Sequence, residues 1–173
     1  MSHVQGPDIK RGERLEKLMM QYEKDLLHMC CVYLRDISLA QDAVQETFLK
    51  AYRALDGFRE EASEKTWLMR IAINVCRDLR RSAWYRFVDR RVTLDSLPLP
   101  VSPPSEEHIA LTTQIMKLPQ KLMEAVLLYY YQNLNIREIA RITGITPSAV
   151  SNRLVKARAR LKDALEGGEG HGR

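Results

Sequence analysis

The chain of 173 residues carries 27 Lys and Arg against 22 Asp and Glu, a formal net charge of +5. With 45% hydrophobic and 28% charged residues, its composition is that of a folded globular protein rather than a disordered or collagen-like one. Three Cys are too few for a disulfide framework, and the sequence has no apolar run near the ~20 residues that a membrane helix needs. We therefore expect a cytoplasmic protein without membrane insertion, with one domain or two small ones.

The positive charge is concentrated in two separate segments. Residues 64–91 hold eight Lys and Arg against three acidic residues, and residues 135–165 hold seven against two. Each segment therefore has a surplus of five positive charges, and the rest of the chain has a net charge of −5. Two basic segments in an otherwise acidic chain indicate two contacts with a long polyanion such as nucleic acid. Two solvated helix faces would give the same pattern.

Two amphipathic helices are predicted first along the chain. Residues 1–12 are predicted to be a flexible polar tail. Apolar residues then recur at spacings of three and four from Leu15 to Tyr33, which is the period of a helix with one buried face. Ser38 is the predicted N-cap of the second helix, and Asp56-Gly57 is predicted to end it.

The third predicted helix has two contrasting faces. Apolar residues from Trp67 to Leu79 share one face, where Trp67 is expected to pack in the core. Polar residues recur on the opposite face, namely Arg70, Asn74, Arg77 and Arg81. Three such helices with short connections predict a compact helical domain over residues 13–85.

Residues 86–108 differ in composition from the segments on either side. They contain four of the seven prolines, together with Ser and acidic residues, and they show no helical period. This composition predicts an extended linker. A second helical domain is then predicted over residues 109–166, followed by a flexible tail over residues 167–173. The predicted fold class is therefore all-α, with two small helical domains and no strands.

A helix-turn-helix is predicted in the second domain. Asn135 and Glu138 have the spacing of a capping box, and Gly144 is suited to the left-handed residue that ends a short helix. Thr146-Pro147 then provides a cap and a first helical residue for a longer, basic helix. A capped helix, a tight turn and a second capped helix favour DNA binding over a helical hairpin in a protein-interaction module.

The longer helix is predicted to bury Val150, Leu154, Ala157 and Leu161 along one stripe. Its opposite face would present Ser148, Ser151, Asn152, Val155 and Lys156, with Arg153 on the flank, to base edges. Arg158, Arg160 and Lys162 lie farther along the helix, where they would meet phosphates.

Several segments resemble bacterial sigma factors of the extracytoplasmic-function (ECF) group, a branch of the sigma-70 family. Residues 42–55 (DAVQETFLKAYRAL) resemble region 2.2 of these proteins, and residues 67–74 (WLMRIAIN) resemble the block that follows it. Leu118-Pro119 and residues 138–154 resemble region 4. The resemblance covers about residues 15–165, in the order in which the family has these segments.

The resemblance implies roles for three groups of residues. A docking face for the β′ coiled coil of RNA polymerase would comprise Asp42, Gln45, Glu46, Lys50 and Arg53. The −10 promoter element would be held by a loop at residues 58–65, which captures a flipped base, and by the basic face of the third helix. Its residues would be Phe58, Arg59, Ser63, Lys65, Arg70, Asn74, Arg77 and Arg81. The −35 element would be read by Thr146, Ser148, Ser151, Asn152, Arg153, Lys156, Arg158 and Arg160.

The implied function is that of a sigma factor, which binds core RNA polymerase, recognises a two-part promoter and melts its −10 element. The implied partners are the β′ coiled coil and β flap of the polymerase, promoter DNA and an anti-sigma factor. A stand-alone helix-turn-helix regulator, or an adaptor that binds polymerase without DNA, is the alternative. Enzymatic activity, a metal and a cofactor are not predicted, and Cys30 and Cys31 are interpreted as buried thiols.

Overall fold

The computed structural model describes residues 6–59, 61–82 and 105–168. All regular secondary structure in these residues is helical, which confirms the predicted all-α fold. In the same residues, none of the helices is both long enough and apolar enough to cross a membrane. Residues 83–85 at the end of the predicted first domain, residues 86–104 of the predicted linker (86–108), Glu60 of the predicted −10 loop and the chain ends at residues 1–5 and 169–173 lie outside the described part of the chain.

Up to residue 82, the described residues form three helices, α1 (Gly6–Leu34), α2 (Ile37–Ala54) and α3 (Glu64–Arg81). A short 3-10 turn, Leu55–Gly57, follows α2 at the predicted stop. Helix α3 begins after Ser63, whose hydroxyl oxygen accepts a hydrogen bond from the backbone N–H of Thr66 at 3.1 Å.

Two predictions about where helices begin are wrong. Helix α1 begins at Gly6, so residues 6–12 belong to a helix and not to a flexible tail. Arg11 supports these first turns because it pairs with Asp56 and lies 5.3 Å from the centre of the Tyr52 ring. The N-cap of α2 is Asp36 and not Ser38, since the Asp36 carboxylate accepts a hydrogen bond from Leu39 N at 2.9 Å.

The second half contains four helices, α4 (Glu106–Met116), α5 (Gln120–Val126), α6 (Ile136–Thr143) and α7 (Pro147–Gly168). Helix α5 continues as a π-helical turn over Leu127–Tyr131. Pro119 is the N-cap of α5 rather than its first residue, which the extended φ and ψ of −52° and 142° show.

The bounds of α4 and α7 correct the edges of two predicted segments. Residues 106–108, predicted as the end of the linker, form the first turn of α4 because the Ser105 hydroxyl accepts a hydrogen bond from His108 N. Residues 167 and 168, predicted as part of the tail, continue α7.

The apolar faces of both halves meet in one continuous core. Helices α1, α2 and α3 bury side chains such as Leu26, Phe48 and Ile73 against one another. Helices α5, α6 and α7 contribute Leu127, Ile139 and Leu154 to the same cluster. The thiols of the chain are buried there as free cysteines, as predicted for Cys30 and Cys31, and Cys76 lies beside Cys30 with 3.6 Å between the sulfur atoms.

Candidate functional site

The predicted docking face occupies one side of α2. Asp42, Gln45, Lys50 and Arg53 are exposed and Glu46 is half-buried, while the other side of the helix buries Ala43, Val44, Thr47 and Ala51. The spacing of three and four residues that brings these polar side chains together is the spacing of one helical face. Glu46 and Lys50 lie one turn apart with 3.9 Å between their charged atoms.

Leu49 is a member of this surface that the sequence analysis did not single out. It is 50% exposed and lies between the docking residues Gln45 and Arg53 along the helix. An apolar side chain among charged ones gives a partner a contact from which water can be excluded. Leu49 lies four residues after Gln45 and four before Arg53, so the helical period alone could have placed it on this face.

The loop before α3 forms an aromatic cavity. The Phe58 and Trp67 rings lie 4.9 Å apart between centroids, and the Arg14 guanidinium lies 5.3 Å from the centre of the Phe58 ring. These rings help to line a cavity of about 550 Å³. Trp67 packs against the hydrophobic core, as predicted, and also forms part of this wall. Neighbouring aromatic side chains beside an Arg are suited to holding an unstacked base.

Polar groups surround the aromatic cavity. Arg59 and Arg70 are exposed and line it, and Lys65 is half-buried at the start of α3. Ser63 is occupied as the N-cap of α3, since its hydroxyl also donates to Thr66 Oγ1 at 2.9 Å. The predicted −10 loop residues are therefore brought together, and Ser63 fixes the loop's exit into the helix.

The basic face of α3 is divided between solvent and the second half of the molecule. Arg70, Asn74 and Arg81 are exposed, and Arg81 pairs with Asp78 on the same helix. Arg77 instead points at helix α5. Its Nε donates to Glu124 Oε1 at 2.9 Å and its Nη2 donates to Glu124 Oε2 at 2.7 Å.

Glu124 is the centre of a buried polar network that the sequence analysis did not predict. The residue is 1% exposed, and besides Arg77 it accepts a hydrogen bond from Tyr33 Oη at 2.6 Å and from Gln120 Nε2 at 3.2 Å. Burial by itself would raise the pKa of this carboxyl, but the hydrogen bonds from Arg77 and Tyr33 hold the pKa below its ordinary value. Glu124 is therefore a charged group that the surrounding donors stabilise inside the core.

The same network changes the ionisation of its donors. The hydrogen bond to Glu124 raises the pKa of Arg77. Burial, together with the nearby Glu124 charge, raises the pKa of Tyr33 far above its ordinary value. Removing one partner of a buried ion pair typically costs about 3–5 kcal/mol, because the other charge then stays buried without compensation.

The helix-turn-helix has the predicted geometry. Glu138 N donates to Asn135 Oδ1 at 2.9 Å and Asn135 N donates to Glu138 Oε2 at 2.8 Å, which completes the capping box. Gly144 has a φ of 71°, in the left-handed region that glycine adopts without strain. Thr146 then caps α7 by accepting a hydrogen bond from Ala149 N at 3.2 Å, and Pro147 is the first helical residue.

Helix α7 buries and exposes the predicted stripes. Val150, Leu154 and Ala157 are at most 2% exposed, and Leu161 is partly buried against them. The exposed residues are Thr146, Ser148, Asn152, Lys156, Arg158 and Arg160, while Ser151 and Arg153 are half-buried on the flanks. Val155, 60% exposed, lies among them and gives this face an apolar contact. The face is long, convex and basic.

Within the described residues, Arg158 is the predicted −35 residue that has an aromatic partner. Its Nε donates to Tyr130 Oη at 2.6 Å, and its guanidinium lies 5.8 Å and 5.6 Å from the centres of the Tyr129 and Tyr130 rings. The π-helical turn of α5 brings these two rings to the surface beside α7. Arg158 is thereby held against α5, whereas Ser148 and Asn152 in the first turns of α7 are exposed.

Comparison with known proteins identifies the family. Residues 18–86 match the family Sigma-70 region 2, and residues 108–161 match Sigma-70, region 4. The RNA polymerase sigma factor NccH of Alcaligenes xylosoxydans xylosoxydans is 31% identical, with 72% of each chain aligned. The chain belongs to the sigma-70 family.

Further relatives specify the group. The RNA polymerase sigma-H factor of Pseudomonas aeruginosa is 29% identical over 91% of this chain and 90% of its own. The ECF RNA polymerase sigma factor SigM of Mycobacterium tuberculosis is 29% identical over 89% of this chain and 79% of its own. The protein is thus a sigma factor of the ECF group, which directs transcription initiation at promoters, and the alternative of a stand-alone regulator is not favoured.

A solved structure shares the fold. The sigma factor RpoE of Bartonella quintana, determined in complex with the anti-sigma factor NepR, superimposes with a TM-score of 0.77 at 20% identity. The match covers 89% of this chain and 98% of that one. Both helical halves of the present protein therefore have counterparts in a sigma factor structure.

Proposed function

We propose that this sigma factor binds core RNA polymerase through the docking face of α2 and then positions two separate surfaces on promoter DNA. It acts as a non-catalytic initiation factor in the cytoplasm, where bacterial transcription takes place. The observation that carries the proposal is that the docking residues share one side of α2, where four are exposed and Glu46 is half-buried, while the other side packs in the core. The mixed acidic and amide surface around Leu49 suits a basic helical partner such as the β′ coiled coil.

The −10 element is bound by the loop and helix α3 in this proposal. The Phe58 and Trp67 rings form a wall for a flipped base. Asn74, exposed one turn after Arg70 on α3, is assigned to this pocket by the resemblance to the family. Arg70, Arg77 and Arg81 neutralise the phosphates of the opened strand. Stacking and charge together offset the few kcal/mol that unstacking a base costs.

The −35 element is bound by helix α7. Its first turns, with Ser148, Ser151, Asn152 and Arg153, enter the major groove, where an Asn side chain can pair with adenine. Lys156 and Arg160 lie farther along the exposed side and contact the phosphates, which sets the register of the helix on the duplex. The β flap of the polymerase then holds the second domain at the distance that the two promoter elements require.

An anti-sigma factor is a further proposed partner. The support is the RpoE structure, in which a sigma factor of the same fold was determined with an anti-sigma factor bound. Such a protein would hold this chain away from the polymerase until a signal releases it.

A transcription assay with purified core enzyme tests the docking face. We expect the wild-type protein to give promoter-specific transcripts, and the triple variant Asp42→Ala/Gln45→Ala/Glu46→Ala to lose polymerase binding by about a hundredfold, since a few central contacts carry most interface energy. The matched control is Glu16→Ala/Gln21→Ala/Glu23→Ala, which removes the same chemical groups from exposed positions of α1. Wild-type polymerase binding by the α2 variant would overturn the proposed docking face.

A further inference from the structure

The two halves of this sigma factor share an apolar core and are also joined by polar contacts, one of which engages a residue that the first half would use on DNA. Tyr33 on α1 and Arg77 on α3 both donate to Glu124 on α5. Arg77 is one of the cations of the basic face of α3, and its ion pair with Glu124 engages Nε and Nη2, so those two donors are not available to a DNA phosphate.

The same arrangement covers the aromatic cavity of the −10 loop. Arg141 and Ile142 of helix α6 form part of the cavity wall, opposite Phe58 and Trp67. Arg141 Nη1 donates to the backbone carbonyl of Glu61 in the loop at 3.1 Å. Thr66, at the start of α3, donates to Glu138 of α6 at 3.3 Å. Helix α6 therefore lies where an incoming DNA strand would have to pass.

We propose that Tyr33, Arg77 and Glu124 form a latch that closes the second domain over the −10 loop, so that the two domains must separate before single-stranded DNA enters the cavity. The proposal rests on the proposed function only in assigning −10 DNA to this loop. The closed arrangement itself is defined by contacts within the protein.

The latch has the properties of a two-state device. Glu124 is 1% exposed in the closed state, where three donor groups satisfy its carboxylate. Separation of the domains would transfer Arg77 and Glu124 to water. The attraction between the two charges would then be lost, but the free energy that their burial costs would be regained. A closed state held by such a pair can be opened by a partner that binds only the open state, such as a DNA strand or the polymerase.

An energy-transfer measurement on the free, full-length protein tests the latch without DNA or polymerase. Donor and acceptor dyes are placed on cysteines introduced at Lys17 of α1 and Ala164 of α7, which are exposed while the three native thiols are buried. We expect Glu124→Gln to lower the transfer efficiency, because the amide keeps the shape of the side chain but loses the charge that Arg77 needs. The matched control is Glu166→Gln, the same change in an exposed pair with Lys162 on α7.

A binding measurement follows on the same variants. The probe is a single-stranded oligonucleotide carrying the non-template −10 sequence of a promoter mapped by transcription-start sequencing. Because a binding site that is open only part of the time has a correspondingly weaker apparent affinity, we expect Glu124→Gln to bind the probe about tenfold more tightly than wild type. Glu166→Gln is expected to bind it as wild type does.

Tyr33→Phe provides a second variant in case Glu124→Gln does not fold. It keeps the buried ring and removes only the hydroxyl that donates to Glu124, so it should shift the transfer efficiency in the same direction by less. Wild-type transfer efficiency in every folded variant would overturn the latch. A lower efficiency without tighter binding, while the wild type binds the probe, would overturn the shielding of the cavity. Binding by none of the proteins, with the efficiency still lowered, would support the latch and count against the −10 assignment instead.

Discussion

The two surfaces proposed for DNA differ in how the molecule presents them. On the exposed side of α7, Asn152 and Lys156 are open to a partner, whereas Arg158 farther along the helix is held against α5. The loop before α3 and the basic face of that helix are partly covered, with Arg77 paired to Glu124 and Arg141 reaching the loop backbone. A DNA duplex can therefore reach the first surface directly, whereas a DNA strand reaches the second only after the domains rearrange.

The difference follows from which part of each element is used for packing. Helix α7 buries the stripe of Val150, Leu154 and Ala157, which leaves Asn152, Val155 and Lys156 exposed on its other side. Helix α3 buries one face in the first half and then contributes Arg77, on the other face, to a contact with the second half. The spacing of basic residues along one helical face therefore does not show that each of them is exposed to solvent.

The largest expected effect concerns the packing that keeps the α7 surface in place. Leu154 is 2% exposed in the core, and we expect Leu154→Ala to lower the free energy of unfolding by about 2–5 kcal/mol, from lost burial and the cavity left behind. The matched control is Val155→Ala on the neighbouring, 60% exposed position, which should change it by less than about 0.5 kcal/mol. Urea denaturation followed by circular dichroism measures both, and equal losses would mean that the exposed stripe of α7 is buried in solution.

The next largest effect tests whether DNA binding by α7 is independent of the contact that covers the −10 loop. We expect Arg153→Ala/Lys156→Ala to weaken binding to a −35 duplex by tenfold or more, since each base or phosphate contact is worth about 1–3 kcal/mol. Because α7 is open in the closed state, the loss should be the same when Glu124→Gln is also present. Fluorescence anisotropy with the mapped promoter duplex measures it, with Lys24→Ala of α1 as the exposed control.

A dependence of this loss on Glu124 would contradict the comparison. It would mean that the −35 surface, like the −10 surface, changes its accessibility when the domains separate. Unchanged duplex binding by Arg153→Ala/Lys156→Ala itself would remove α7 from the −35 assignment.

Local patterns in the sequence were sufficient for the helices and the helix-turn-helix. The Asn135 capping box, the left-handed Gly144 and the buried stripe from Val150 to Ala157 were predicted and are found, because each depends on contacts within a few residues or on helical period. The start of α1 was not predictable in this way. Residues 6–12 are polar, and their helix rests on contacts of Arg11 with Tyr52 and Asp56, which are distant in sequence.

The residues with which the site residues pair could not be predicted from the sequence either. Arg77 and Asn74 belong to the same helical face, and nothing in their spacing distinguishes the one that pairs with Glu124 from the one that stays exposed. Glu124 lies in a run of apolar residues, and a single carboxylate there indicates a buried partner without identifying it. The pairing depends on how two domains meet across a linker whose sequence carries no signal for that contact.

The smallest expected effect is a pH dependence of the seam between the halves. His28 of α1 makes an edge-on contact with Tyr131, at 5.1 Å between ring centroids, and lies in an apolar groove of about 470 Å³ with His108 of α4. Burial, and then the charge of His108, lower the pKa of His28 below its ordinary value of 6.5, although Asp25 acts in the opposite direction. The folded protein therefore favours the neutral imidazole. The contribution of His28 to stability is complete above pH 6.5 and is lost as the pH falls towards its lowered value.

The pH range of this effect distinguishes protonation of His28 from protonation of Glu124 in the latch. The pKa of Glu124 is held below its ordinary value of 4.5, so Glu124 keeps its charge at every pH of the measurement described next. Between pH 7.5 and about pH 5.5, we expect the transfer efficiency between the domains to decrease slightly in wild type and to stay flat in His28→Gln. Binding to the −35 duplex at constant ionic strength should show no difference between the two proteins over the same range, because α7 does not depend on the seam for its exposure.

Two outcomes would contradict this prediction. An equal pH response of both proteins in the transfer measurement would assign the effect to another group. An effect of His28→Gln on duplex binding would show that the exposed side of α7 is coupled to the contact between the halves.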